Sequence, residues 1–90
     1  MTDEELQKAL QEVSESLDNL PESSKSETER HRRLLLLKKE TLQKIKEARE
    51  KGNKEQELNN TVYYSLLNTW GEKHPYLVSL MMSRFRFGAF

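Results

Sequence analysis

The sequence predicts an all-α protein: a small helical bundle in which an antiparallel helical hairpin is joined by a third helix and a short C-terminal helix, completed within one chain or by oligomerisation. Three observations lead there. Apolar residues recur at helical intervals in each segment, residues able to cap a helix stand at segment starts, and Pro21, Gly52 and the stretch Gly71 to Pro75 divide the segments. Ninety residues with 34% hydrophobic and 33% charged content make one domain, residues 1–90, with little interior to fill.

The first helix is expected over residues 1–20. Leu6, Leu10, Val13, Leu17 and Leu20 follow one another at intervals of four, three, four and three, the seam spacing by which helix packs on helix in bundles and coiled coils. Thr2 and Glu5 have the spacing of a capping box, Asp3 and Glu4 suit the positive end of the helix dipole, and Pro21 closes the segment.

The second helix, residues 26–51, starts at another capping-box pair, Ser26 with Glu29, and ends at Gly52. Leu34, Leu37, Thr41, Leu42, Ile45 and Ala48 gather on one broad face, and Leu36 falls nearly opposite Leu34. Lys38 intrudes on that face and is placed to snorkel out of it.

The third helix, residues 53–71, begins at Asn53, with Gln56 set to close a reciprocal bond. It carries Leu58, Val62, Leu66 and Trp70 as its apolar face, broadened by Tyr63 and Leu67 toward a second contact surface. Pro75 opens the fourth helix, residues 75–86, at a first-turn position where its missing N–H does no harm.

The neutral total hides a segregation along the chain. Residues 1–29 hold nine acidic and two basic side chains, and residues 30–54 hold ten basic and three acidic. An antiparallel pairing of the first two helices sets these zones side by side and needs no external partner. Residues 55–90 are balanced, yet hold 17 of the 31 hydrophobic residues, including every aromatic.

Catalytic chemistry finds no support in this chain. His31 and His74 are far apart and lack metal-ligand spacing. There is no cysteine, phosphate loop, nucleophile elbow or paired-carboxylate motif. No enzyme activity, cofactor, metal or small-molecule ligand is therefore expected. The longest apolar runs, Leu34 to Leu37 and Leu80 to Met82, fall far short of the roughly 20 residues of a membrane span. The N-terminus is acidic where a secretory signal would be basic. The expectation is an intracellular protein, cytoplasmic or nuclear, with no membrane contact.

The expected function is a non-catalytic protein–protein interaction module: an adaptor, small complex subunit or regulator that binds a protein partner or its own copy. Helix faces and the apolar C-terminal segment would make the contact. In that segment Leu77, Leu80, Met81, Arg84, Phe85 and Phe87 are the candidate partner-binding residues, because aromatic anchors alternating with arginines are enriched at interface hot spots. Packing of the same residues into the core is the competing account. The alternative function is a nucleic-acid-binding helical module using Arg30, Arg32, Arg33, Lys38 and Lys39 with the Arg/Phe tail. Against it stand the spread of basic residues around the helix and a near-neutral isoelectric point. Ser23, Ser24 and Ser26 lie in a polar loop leading into a helix start, where a phosphate would be tolerated.

Overall fold

The computed structural model describes residues 1–22 and 25–86, and their side chains except those of Met82 and residues 84–86. Four helices and no strand make up the described residues: α1 (Asp3–Asp18), α2 (Ser26–Lys51), α3 (Lys54–Trp70) and α4 (Pro75–Arg86). The all-α expectation is met, with boundaries within two residues of those read from the sequence.

α2 is the spine. At 1.5 Å per residue its 26 residues reach about 39 Å, nearly the full 41 Å length of the molecule. α1, α3 and α4 all pack against it. Arg49 near the end of α2 reaches Asp3 at the start of α1, and Arg32 near its beginning donates to the Pro21 carbonyl beyond the end of α1. The two helices are therefore antiparallel, as the seam and the charge zones predicted. α3 also runs antiparallel to α2, with Glu57 against Arg49 at one end and Gly71 against Leu34 at the other.

Burial divides between two clusters that share the broad buried face of α2. Leu6 and Val13 of α1 meet Leu35, Leu42 and Ile45, with Ala9, Leu10, Leu17, Leu20 and Tyr64 partly buried around them. Leu34 and Leu37 meet Leu67 of α3 and Val78 and Met81 of α4, with Tyr63 and Leu77 at the margin. Every α1 seam residue thus reaches the core, and the broad α2 face is buried as expected, with Leu36 outside.

The helix ends show why the segments stop where they do. Thr2 and Glu5 form the full capping box, the Thr2 hydroxyl accepting from the Glu5 amide at 3.1 Å and the Glu5 carboxylate from the Thr2 amide at 3.2 Å. Gly52 takes the left-handed conformation, φ 70°, that glycine adopts without strain, and its amide donates to the Ala48 and Arg49 carbonyls.

Two capping expectations are corrected. The α2 N-cap is Lys25, whose side chain does not cap the helix, so Ser26 lies inside the first turn and its box with Glu29 does not form; Glu29 instead pairs with Arg32 at 2.5 Å. At α3, the Asn53 side chain accepts from the Gln56 amide, but the Asn53 amide is engaged by the Ala48 carbonyl at 2.8 Å. The bond that closes the end of α2 thereby removes the donor that Gln56 would have met.

The largest correction concerns the orientation of α3. Leu58, Val62, Leu66 and Trp70, read as its packing face, point away from α2. The residues turned inward are Glu57, Asn60, Tyr64, Leu67 and Gly71, spaced three, four, three and four, so α3 packs along the same kind of seam as α1. Tyr63 and Tyr64 reach different clusters.

Geometry favours this choice. A row at constant intervals of four swings about 40° around the helix at every step and so about 120° from Leu58 to Trp70, too far to face one straight neighbour. Alternating intervals of three and four stay in line. Gly71 fixes the contact at its close: a β-carbon there would stand 2.5 Å from a Leu34 methyl, so only glycine lets the helix end approach α2 this closely.

Candidate functional site

The outward row on α3 is an unusual surface. Leu58 is 64% exposed, Val62 50%, Leu66 37% and Trp70 45%, and the four form a continuous ridge about 18 Å long at 1.5 Å per residue. No Asp, Glu, Lys or Arg occurs between Leu58 and Gly71, in a chain that is 33% charged. Asn59, Ser65 and Thr69 flank the ridge, exposed and uncharged. Charge depletion around large apolar side chains distinguishes the centre of a protein interface from ordinary surface, whereas scattered exposed leucines do not.

The inner face of α3 cannot turn outward to exchange places with this ridge. Leu67 is fully buried, and Arg49 ties the helix start down through a 3.2 Å bond to Glu57. The same guanidinium pairs with Asp3 at 2.7 Å and donates to the Met1 carbonyl, so one side chain joins the starts of α1 and α3 to the end of α2. Asn60 is buried with its side-chain amide donating to the Gln56 carbonyl at 2.8 Å, while its Oδ1 accepts no hydrogen bond.

The sequence-predicted partner-binding residues separate. Val78 and Met81 are in the core against Leu34, Leu37 and Leu67, with Leu77 half-buried beside them. The helical turn puts Tyr76, 75% exposed, and Leu80, 49% exposed, on the opposite side. Met81 therefore does not share a surface with Leu80, which corrects their grouping: the period of 3.6 sets residues 78 and 81 inward and carries residues 76 and 80 out. The side chains of Arg84 and Phe85, and the whole of Phe87, lie outside the described residues.

The basic residues of the nucleic-acid alternative also separate. Arg30 and Arg33 line a cleft of about 800 Å³ between the first turns of α2 and the start of α4, with His31, Lys73 and Tyr76. Leu34, Pro75 and Val78 line it too, as do the carboxylates Glu27 and Glu72. Arg32 is held by Glu29 and the Pro21 carbonyl. Lys38 is half-buried, burial pushing its ammonium value down against the opposing pull of Glu72. Lys39 lies in a different groove, of about 690 Å³, between α1 and α2. The five do not make one continuous basic face.

Among the described residues no three His, Asp or Glu side chains are grouped to hold a metal ion, and no helix is long and apolar enough to cross a membrane. His74 lies against Trp70, ring centroids 5.5 Å apart, at the turn between α3 and α4. No family model, curated protein or solved structure matches the chain.

What sequence reasoning missed is that the α3 row Leu58, Val62, Leu66 and Trp70 faces outward. Two signals were present. The inner seam has the three-and-four spacing but begins with Glu57 and Asn60 and ends with Gly71, so hydropathy alone does not reveal it. The run from Leu58 to Gly71 also carries no charged side chain on either side of the helix.

Proposed function

We propose that this chain is a non-catalytic protein–protein interaction module that docks through the outer ridge of α3. The observation that carries the proposal is the ridge itself: Leu58, Val62, Leu66 and Trp70 in one row, each more than one-third exposed, on a helix whose other face is fixed in the core. Covering the exposed part of such side chains contributes about 1 kcal/mol or more apiece. Leu80 and Tyr76 of α4 offer a smaller second patch. A protein surface is favoured over a nucleic acid because the exposed apolar row has no charge for a phosphate backbone to meet. The basic side chains, meanwhile, are divided between two grooves and accompanied by Glu27, Glu72 and Asp3.

The test is a ridge-broken variant, Val62→Glu with Leu66→Glu. Both positions are exposed, so helical circular dichroism and the melting temperature should stay near the parent values. The tagged parent chain should retain a stoichiometric protein, itself or another, that the variant loses. Retention of the same proteins by both would sink the reading.

A further inference from the structure

We infer that His74 is a pH-sensitive switch at the Trp70 end of the α3 ridge: its protonated ring sets a positive charge against the apolar row and weakens docking there. The inference rests on the reading of that ridge as a docking surface and adds its regulation.

The backbone builds the contact. The Trp70 carbonyl at the end of α3 accepts from the Lys73 amide at 3.1 Å and from the His74 amide at 2.9 Å, which folds the turn back onto the helix end. His74 comes four residues after Trp70, and the two rings lie with centroids 5.5 Å apart and planes tilted by 45°. From the α4 side the Leu77 amide donates to the His74 carbonyl at 3.0 Å, so the residue is held at both ends. Trp70 is 45% exposed and His74 is exposed, so a proton reaches the imidazole without any change of fold.

Charge gives the contact its consequence. From Leu58 to Gly71 no side chain is charged. Beyond it, Glu72 and Lys73 line the cleft toward α2, whereas His74 lies against the last side chain of the row. Imidazole is the side chain that changes charge between about pH 5 and pH 8. Neutral, it is one more ring beside the indole. Protonated, it is a cation within the roughly 6 Å over which an indole face attracts one. An occupant that covers Trp70 must then take water from that cation, and burying an unpaired charge costs far more than burying a neutral ring.

The surrounding charges are balanced about His74. Glu72 and the carbonyl end of α3 favour the cation, while Lys73 and the start of α4 oppose it. Across the cleft α2 brings Glu27 together with Arg30, His31 and Arg33, and Lys38 of the same helix draws on Glu72. Among the described residues the ion pairs are those of Arg32 and Arg49, so no paired carboxylate cancels the charge on His74.

Trp70 is the single tryptophan, so its fluorescence reads the contact in the whole chain with no partner present. A cationic imidazole against an indole quenches emission more strongly than a neutral one. Emission should fall reversibly from about pH 8 to about pH 5 with helical circular dichroism unchanged; His74→Gln should flatten that titration and His31→Gln should leave it. Emission indifferent to pH, or a titration that survives His74→Gln, would overturn the switch whatever the ridge does. A second arm offers the row an uncharged phenyl matrix. Over the same pH range the parent should lose retention severalfold relative to His74→Gln, and a constant ratio between the two chains would overturn the regulation. Equal retention of the parent and the Val62→Glu, Leu66→Glu variant at about pH 8 would instead overturn the docking reading and the switch with it, a failure the fluorescence titration tells apart.

Discussion

α1 and α3 flank the same central helix, run antiparallel to it and use the same three-and-four spacing, yet their apolar residues relate to that spacing in opposite ways. In α1 the seam is the apolar stripe: Leu6, Leu10, Val13, Leu17 and Leu20 go inward, and the remaining positions are mostly charged or polar. In α3 the seam starts with an ion-paired glutamate and a buried asparagine and ends on a glycine, while a four-residue apolar row faces outward. A helix with one stripe reveals its partner side. A helix with two apolar surfaces does not, and the one that fits its neighbour goes inside even when it is the less hydrophobic.

The sharpest way to test this contrast is to truncate neighbouring leucines on the two sides of α3. Leu67→Ala removes a fully buried side chain from the cluster with Leu34, Leu37, Val78 and Met81 and should cost about 2–5 kcal/mol in chemical denaturation. Leu66→Ala, one residue away on the ridge, should cost far less, within about 1 kcal/mol. Equal losses at the two positions would mean that α3 is rotated from the orientation described.

A smaller effect is expected where α3 ends. Gly71→Ala places a methyl group against Leu34 and the Leu67 carbonyl, both at 2.5 Å, and should destabilise the chain by about 1–3 kcal/mol. Gly52→Ala would also be unfavourable, but through its positive φ, since nothing lies within 4 Å of a β-carbon there. Combining Gly71→Ala with Leu34→Ala should recover part of the Gly71→Ala penalty, because the clash partner is gone; additivity of the two losses would argue against the close approach.

The least effect is predicted at the start of α1, whose seam needs only a clean beginning. The backbone hydrogen bond from Thr2 and then the contact with its side chain hold the Glu5 carboxyl below its ordinary value of 4.5. The sign follows from linkage: the unfolded chain binds the proton more readily, so the charged box stabilises the native state above pH 4.5 and that contribution is lost as pH falls through the lower folded value. Glu5→Gln keeps the capping geometry and drops the charge. Its melting temperature should lie slightly below the parent at neutral pH and converge with it in acid; a constant gap across pH would contradict the linkage.

Much of the fold was legible because local chemistry dictated it. Thr2 with Glu5, Gly52 and Pro75 set helix ends through their own hydrogen bonds, φ preference or missing N–H. The α2 face was legible because Leu34, Leu37, Leu42, Ile45 and Ala48 leave one side for burial. The Ser26 cap was misread because the N-cap position falls one residue earlier, on Lys25, whose side chain does not cap the helix. The excess of apolar residues in the second half was legible, but the burial of Met81 and the outward orientation of the α3 row were not.

The charge zones show the same division of information. An acidic helix beside a basic one could be read from composition, and their antiparallel arrangement followed. That Arg49 in particular would join Asp3, Glu57 and the Met1 carbonyl could not, because it depends on where three helix ends converge.

By itself, then, the sequence determined four helices, their order, their ends and the antiparallel hairpin, since these depend on interactions within about four residues and on the single apolar stripe of α1 and broad face of α2. Only the tertiary structure decided which side of α3 and which residues of α4 are inside. Those choices depend on the fit of a whole ridge against α2, on Gly71 admitting Leu34, and on where Tyr63, Tyr64, Val78 and Met81 find space. Hydrophobicity sets how much surface seeks cover, and packing geometry selects which part of it is left facing outward.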